Sequence, residues 1–465
     1  MLKICIFLLL CFFNVYASRN IEEKINKILS KVPLSTVSAV QITKAATNEI
    51  IYERNSTKIV IPASNTKLFT TAVALTTMGT AYEFTTKLFT DDINFKDGII
   101  NGNLYIKGFC NSMFTEKDLD DYVAELKQLG VKKIAGKIIG DDSYLDDLYT
   151  RDDWITDETA NVPLPAISAL VLNRNMMTID ISAGSKSGRL VDVNVRPFNN
   201  FVKIINSAKV TSGKRKPSVR LKFDGEKYVI TVTGTLRRNN NAEYNIKIDN
   251  PPFFAASVLH SKLIKEGIEV IGVPTTGVIP EKVNFIASTP LSIIDLISKI
   301  NKRSDNFLAE CLFKSLGAFK SQKQGNSFYA AQAVNEFINE HDVYSEGVSV
   351  VDGSGISRFN EVTVKTLSDL LLEMYNKPQY FEIYKNSLSI AGIEGTLRER
   401  LSFNLNNKFW GKTGTLNGVS SVTGYLETKK MEYYVVSIVF QFKQKSMDYY
   451  KNIQDEIIEL IESEY

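Results

Sequence analysis

Histidine is the scarcest catalytic residue type in this chain, since 465 residues contain only His260 and His341. No cluster of cysteines or carboxylates stands at the spacing that metal ligands require. A histidine-based catalytic triad and a zinc centre therefore have little material, and the sequence predicts neither a metal nor a cofactor.

Cysteine is almost as rare, with four residues in all. Cys5 and Cys11 lie in the apolar N-terminal stretch, which leaves Cys110 and Cys311. Export from the cytoplasm would permit a disulfide between these two residues. We favour two buried thiols instead, because cysteine is often buried as a small apolar side chain.

Net charge is also small, at +3. This average does not suggest a nucleic acid as partner, because nucleic-acid-binding domains carry a marked excess of basic residues. Local runs such as Lys214-Arg215-Lys216 can still contact an anionic surface.

Long apolar runs are missing beyond the N-terminus. There, Lys3 precedes the almost wholly apolar residues 4–13, and Val15-Tyr16-Ala17 resembles a cleavage site. The pattern predicts a signal peptide over 1–17 that is too short to span a membrane. A lipoprotein modified at Cys11 is the weaker interpretation, since Leu10 stands where a small residue is expected. We expect a periplasmic or otherwise extracytoplasmic protein, soluble after cleavage, with peripheral membrane or cell-wall association and oligomeric state left open.

Strand and helix patterns divide the remaining chain into three parts. Two N-terminal strands and three C-terminal strands predict a five-stranded antiparallel sheet flanked by helices, hence an α+β fold. The residues between them alternate short strands and turns. We therefore predict a discontinuous domain formed by 18–81 and 286–465, interrupted by a β-rich insertion over 82–285 that contains one or two modules.

A helical pattern begins after Pro62 and places Ser64 and Lys67 one turn apart on the same face. Ser64 could simply cap the helix, but a capping box would have Glu or Gln at the position of Lys67. The positive end of the helix dipole disfavours a charged lysine there and favours the neutral amine. Such an amine can take a proton from Ser64, so the pair is a candidate nucleophile and base.

Two further motifs follow in order. Ser304-Asp305-Asn306 lies in a break between two helical stretches, where an N-cap is the ordinary interpretation. Lys412-Thr413-Gly414-Thr415 lies on a predicted strand opened by Gly411. An edge strand with a surface lysine is the ordinary interpretation, but two glycines so close together suggest that a ligand approaches the backbone.

The three motifs in this order form a signature of serine enzymes that react with penicillin. The chain resembles the DacB-type D-alanyl-D-alanine carboxypeptidases/endopeptidases, the class C low-molecular-mass penicillin-binding proteins. Further segments that match this family are Gly140-Asp141-Asp142-Ser143, the passage 266–270 and the segment Asp352–Arg358. The resemblance covers essentially the whole mature chain, and it implies a penicillin-binding, transpeptidase-like domain.

The resemblance also implies a role for each motif residue. Ser64 would form the acyl-enzyme, with Lys67 as general base. Ser304 would relay the proton to the leaving amine, and Asn306 would hold Lys67 and the substrate amide. Lys412 and Thr413 would bind the terminal carboxylate, and the N–H groups of Ser64 and Thr415 would form the oxyanion hole. Gly414 would belong to the same substrate-binding strand. The implied partners are peptidoglycan stem peptides and β-lactams.

Three charged residues are candidates for the peptide side chain of the substrate. Arg358 could bind a carboxylate, and Asp141 and Asp142 could bind an ammonium group. Purely structural roles for these three residues are equally plausible from the sequence.

Two alternative functions stay open. A β-lactamase would have the same motifs, but no persuasive second base is visible, and the long insertion argues against it. A cell-wall-binding scaffold would have the fold without turnover, against which the complete motifs argue.

Overall fold

The computed structural model describes residues 21–154, 164–213, 216–401 and 405–465. The predicted signal peptide lies outside the described residues. The described parts of Met1–Tyr82, Arg151–Pro163 and Ser292–Tyr465 form the first of two compact units, and those of Glu83–Thr150 and Leu164–Leu291 form the second.

The units differ in two places from the predicted insertion, 82–285. The insertion is interrupted, because Arg151 donates a hydrogen bond to the carbonyl of Val351 at 2.5 Å and Trp154 donates one to Asp352 at 3.1 Å, both within the first unit. It also extends beyond residue 285, because the strand Asn284–Ser292 belongs to a sheet of the second unit.

The helices and strands are numbered in chain order. Helices are α1 (21–29), α2 (Thr66–Met78), α3 (Glu116–Gln128), α4 (Pro251–Lys265), α5 (Ile293–Arg303), α6 (Asn306–Ser321), α7 (Ser327–Glu340), α8 (Val364–Tyr375), α9 (Pro378–Ser387) and α10 (Met447–Glu464). Strands are β1 (Val37–Lys44), β2 (Glu49–Arg54), β3 (Glu83–Thr90), β4 (Ile99–Ile100), β5 (Leu104–Phe109), β6 (Lys133–Ile134), β7 (Ile138–Asp141), β8 (Met176–Ser182), β9 (Asp192–Arg196), β10 (Val202–Asn206), β11 (Lys209–Thr211), β12 (Ser218–Phe223), β13 (Tyr228–Thr233), β14 (Thr235–Arg237), β15 (Asn241–Lys247), β16 (Glu269–Val270), β17 (Thr275–Thr276), β18 (Asn284–Ser292), β19 (Ser389–Ile390), β20 (Phe409–Leu416), β21 (Val419–Glu427) and β22 (Tyr433–Gln441).

The first unit is built on one antiparallel sheet with the strand order β19-β20-β21-β22-β1-β2. The five longer strands are those predicted from the sequence. The sixth, β19, has only two residues and was not predicted, since so short a strand leaves no alternating pattern. Together with the helices, this sheet confirms the expected α+β fold.

Helices cover the sheet because their apolar residues recur every three to four positions. In α1, the buried Ile21, Ile25 and Leu29 share one face. They join Ile453 and Ile457 of α10 and the sheet residue Val40 in one apolar core. Contacts of α8 with β22 and β1, and of α2 with α5 and α6, complete the unit.

The second unit contains several small sheets and the helices α3 and α4. Its largest sheet has the order β17-β7-β5-β3-β18. Helix α4 is buried along most of its length and supplies Phe253 and Phe254 to the core.

Cys110 and Cys311 are both buried as thiols, as favoured from the sequence. Within the described part of the chain, no helix is long and apolar enough to cross a membrane.

Candidate active site

Ser64 lies in a 3₁₀ turn, Ala63–Asn65, immediately before α2. The N-cap residue of α2 is Asn65 and not Ser64, which removes the ordinary role considered for the serine. Ala63 has a φ of +51°, a left-handed conformation that is costly for a residue with a Cβ. Residues held in such conformations concentrate at functional sites, where surrounding contacts fix them.

Lys67 is fully buried, and three oxygen atoms lie within hydrogen-bonding distance of its side-chain nitrogen. Nζ lies 3.0 Å from Ser64 Oγ, 2.7 Å from Asn306 Oδ1 and 2.5 Å from the carbonyl oxygen of Ser354. A neutral lysine has two N–H groups and one lone pair. Because Asn306 Oδ1 and the carbonyl of Ser354 can only accept, these two take the N–H groups and the lone pair is left for the hydroxyl of Ser64.

Burial lowers the pKa of Lys67 to about 8. The carboxylates of Asp352, Glu310 and Asp305 act in the opposite direction. Desolvation is therefore the main cause, whereas the helix terminus was the cause expected from the sequence. At pH 7 the uncharged fraction of Lys67 is therefore on the order of one tenth, far more than in an ordinary lysine.

Ser304 ends α5 in the left-handed conformation, with φ +53° and ψ +40°. Asp305 then caps α6, its Oδ1 accepting from the N–H of Leu308 at 3.0 Å. The ordinary N-cap role is thus filled by Asp305. This leaves Ser304 and Asn306 for the contacts with Lys412 and Lys67.

Lys412 is the second fully buried lysine of the site. Its Nζ donates to Ser304 Oγ at 2.8 Å and to the carbonyl of Thr413 at 2.7 Å. Burial and the charge of Lys67 lower its pKa well below the ordinary value. The structure thus brings all three motifs together as two serine–lysine pairs. Lys412 is not the surface lysine on an edge strand that was the ordinary interpretation of its motif.

Gly414 allows the turn that contains Ser64 to lie against β20. A Cβ added at Gly414 would stand 2.2 Å from Ser421 Oγ, 2.8 Å from the carbonyl of Pro62 and 3.0 Å from the Ser64 nitrogen. No side chain fits there without moving this turn or Ser421.

Thr413 and Thr415 differ in their surroundings. The Thr413 hydroxyl donates to Thr396 Oγ1 at 2.7 Å, in the short 3₁₀ turn Gly395–Leu397. Thr415 is exposed. Thr396, which lies beside the predicted carboxylate-binding strand, was not identified from the sequence.

The segment Asp352–Arg358 contributes more than its sequence indicated. Asp352 is fully buried and accepts from the N–H groups of Gly355 (2.7 Å) and Ser357 (2.8 Å) and from the Asn360 side chain (2.8 Å). These bonds fix the loop in which the carbonyl of Ser354 meets Lys67. A backbone acceptor has no residue signature, so the pair of glycines around Ser354 was the only available signal.

Glu310 was also missed. It is fully buried on α6, and Oε1 accepts from the N–H of Ser354 at 2.7 Å. Burial, together with Asp352, raises the pKa of Glu310 to about 8. The hydrogen bond from the Ser354 N–H to Glu310 supports the same loop.

The three residues predicted to contact the peptide side chain of the substrate lie in different units. Arg358 is half-buried in the first unit and donates to the carbonyl of Asn417 at 2.7 Å. Asp141 and Asp142 belong to the second unit. Each carboxylate there is already hydrogen-bonded, Asp141 to Lys107 at 3.0 Å and Asp142 to the Tyr149 hydroxyl at 2.7 Å.

The described residues contain no group of three or more histidine, cysteine or acidic side chains that could hold a metal. Taken together, the sheet, the helices and the paired serines and lysines define the class of serine enzymes that react with penicillin.

The chain belongs to the D-Ala-D-Ala carboxypeptidase 3 (S13) family, whose model matches residues 21–463. It is 27% identical over 424 residues to the D-alanyl-D-alanine carboxypeptidase of Actinomadura sp. (strain R39), covering 87% of this chain and 78% of the relative. It is 26% identical over 437 residues to the D-alanyl-D-alanine carboxypeptidase DacB of Haemophilus influenzae, covering 92% of this chain and 89% of the relative.

The fold is similar to the crystal structure of penicillin binding protein 4 (dacB) from Haemophilus influenzae. The TM-score is 0.78 at 22% identity, over 95% of this chain and 98% of that chain. These matches confirm the expected family, fold class and enzyme class: the chain is a serine-type peptidase of the D-Ala-D-Ala carboxypeptidase class. A family that acts on the cell wall works outside the cytoplasm, whereas the signal peptide itself stays a prediction.

Proposed function

We propose that the chain hydrolyses the D-Ala-D-Ala bond of peptidoglycan stem peptides, and D,D cross-links between them, through an acyl-enzyme on Ser64. The observation that carries this proposal is the position of Lys67, buried within 3.0 Å of Ser64 Oγ and with acceptors for both N–H groups of its neutral form.

Acylation begins when the Ser64 hydroxyl gives its proton to neutral Lys67 and its oxygen attacks the carbonyl between the two D-alanines. The N–H groups of Ser64 and Thr415 donate hydrogen bonds to the carbonyl oxygen as it becomes negatively charged. A Cβ added at Gly414 would lie 3.0 Å from the Ser64 nitrogen, so the turn that contains Ser64 lies close to β20. This closeness supports an oxyanion hole formed by one N–H group from the turn and one from the strand.

The intermediate collapses when the C–N bond breaks. The proton that the leaving amine needs comes from Lys67, through Ser304, which Lys412 holds by a 2.8 Å hydrogen bond. Water then attacks the ester with Lys67 again as base, which releases the shortened peptide and restores Ser64. A β-lactam would form the same ester and stall before this step, because its leaving group stays attached.

The terminal carboxylate of the substrate would bind Lys412 and Thr413. A carboxylate bound beside Lys412 would favour the charged form of this lysine, and charge-assisted hydrogen bonds are stronger in a site shielded from water.

For the side chain of the stem peptide, the proposal assigns a carboxylate contact to Arg358, which lies in the same unit as Ser64. Arg358 is half-buried, and its planar guanidinium suits a carboxylate. Asp141 and Asp142 are both engaged within the second unit, and their contacts favour a structural role.

The test compares hydrolysis by the wild-type protein, Ser64→Ala and a matched exposed serine variant, Ser35→Ala. Release of D-Ala from a peptide ending in D-Ala-D-Ala measures carboxypeptidase activity, and loss of cross-linked muropeptides measures endopeptidase activity. We expect Ser64→Ala to lose both activities and Ser35→Ala to keep them. Equal rates in the wild-type protein and Ser64→Ala would overturn the proposal.

A further inference from the structure

The charges of this chain are strongly segregated, although the total is near zero. Residues 183–247 contain fourteen lysine and arginine residues against four acidic residues, a net charge of +10. Since the whole chain carries +3, the rest of it carries −7. The segment includes Lys214-Arg215-Lys216, the basic run noted in the sequence, to which the proposed reaction assigns no role.

The central strand β13 and the short strands β11 and β14 have a buried residue at every second position, whereas β10 is exposed on both sides, with Ile204 40% exposed. β10 and β11 run parallel to β13 and β14 with a constant register, from Val202 opposite Tyr228 to Thr211 opposite Arg237. β12 pairs with β13 on the other side. Alternate residues such as Tyr228, Ile230 and Val232 lie in the core, so the intervening residues face outward.

Five of the outward residues are basic, and they define what we call the basic face. None of the described outward positions on these strands holds a carboxylate, and none of the five forms an ion pair with a described residue. Arg196 differs, since it pairs with Asp180 and Glu243. The basic face consists of the exposed residues Lys203, Lys209, Arg220, Lys222 and Arg237.

Two exposed aliphatic side chains lie on this same face. Ile205 follows Lys203 by two residues on β10 and is 47% exposed. Leu190 forms an antiparallel bridge with Lys209, which places it on the same side of the sheet, and it is 56% exposed. From Lys203 to Thr211 the face extends for about 26 Å, at the usual rise per residue.

We propose that the basic face docks on the surface of an anionic phospholipid bilayer. Lysine and arginine are attracted to anionic headgroups at the membrane surface. Aliphatic side chains between the cations are stabilised in the interfacial region of a bilayer, whereas a wholly hydrophilic polyanion would gain nothing from Leu190 and Ile205. The face lies entirely within the second unit, so the proposal does not depend on the reaction at Ser64.

The test uses residues 18–465 in co-sedimentation with vesicles of phosphatidylcholine alone or with phosphatidylglycerol. The test variant combines Lys203→Gln, Arg220→Gln and Lys222→Gln. The matched control combines Lys27→Gln, Lys58→Gln and Lys443→Gln, which removes three exposed positive charges from the first unit. Labelling with a fluorescent penicillin verifies that both variants are folded.

We expect binding to the phosphatidylglycerol vesicles only, weakened by added salt and unchanged in the control. The test variant should bind about fivefold more weakly per neutralised cation, or on the order of a hundredfold in total. Equal binding by the two variants, or no vesicle binding by the wild-type protein, would overturn the proposal. Binding to a soluble polyanion such as polyglutamate but not to vesicles would overturn it as well.

Discussion

At the scale of single residues, the site depends on two lysines that are buried without an adjacent counter-ion. Lys67 and Lys412 each contact a serine hydroxyl and a main-chain carbonyl oxygen instead of a carboxylate. An ion pair would hold Lys67 in its charged form, and a charged lysine cannot accept a proton. The neutral partners therefore suit a base.

The pH dependence of acylation follows from the protonation of Lys67. Its pKa is lowered to about 8, so raising the pH toward 8 increases the neutral, reactive fraction. We expect the acylation rate with a penicillin to rise about tenfold per pH unit below about 8 and to level off above it. Stopped-flow measurement of acylation between pH 5.5 and 9 tests this. A rate independent of pH, or one that falls as the pH rises from 6 to 8, would contradict it.

A single methyl group at Gly414 is expected to disrupt the site. In Gly414→Ala the new Cβ would clash with Ser421 and with the turn around Ser64. The free energy of unfolding should fall by about 1–3 kcal/mol, and acylation should slow further than that loss explains. Denaturant unfolding and acylation kinetics measure the two effects. Gly184→Ala is the control, since nothing lies within 4 Å of its added Cβ, and an equally harmless Gly414→Ala would refute the account.

At the scale of structural elements, three parts of the chain form the site: the turn before α2, the break between α5 and α6, and the strand β20. The loop 352–358 adds the carbonyl of Ser354. Hydrogen bonds to Asp352 fix that loop, so this carboxylate acts on Lys67 both through the loop and through its charge.

Replacing Asp352 tests both effects, each with its own measurement. The carboxylate raises the pKa of Lys67, so Asp352→Asn should lower that pKa and move the acidic limb of the acylation profile to lower pH. The free energy of unfolding should also fall by about 1–3 kcal/mol, because an amide cannot accept from every donor that the carboxylate satisfies. Asp448→Asn, at an exposed position, serves as control. A limb that stays in place or moves to higher pH would count against this role.

Local patterns account for what the sequence could predict at this scale. Ser64 and Lys67 are one helical turn apart, so their proximity follows from spacing alone. The five longer strands and α2 follow from apolar periodicity. Ser354, Glu310 and Thr396 act through backbone atoms or through contacts distant in sequence, which leave no local pattern. The function of Asp141 and Asp142 was open for the same reason.

At the scale of the whole molecule, the described residues form two compact units. Ser64, Lys67, Ser304, Asn306 and Lys412 all lie in the first unit, which unites both ends of the chain. The second unit contributes the basic face. The excess of basic residues in this segment is visible in the sequence. The basic face is not, because it depends on a strand register that places cations distant in sequence side by side.

Labelling with a fluorescent penicillin tests the central claim, an acyl-enzyme on Ser64, most directly. The account predicts one persistent label per wild-type molecule, located by mass spectrometry on the peptide that contains Ser64, and none on a folded Ser64→Ala variant. No label on the folded wild-type protein would contradict the mechanism and favour a binding scaffold. Label lost within seconds, with the drug hydrolysed, would identify a β-lactamase instead.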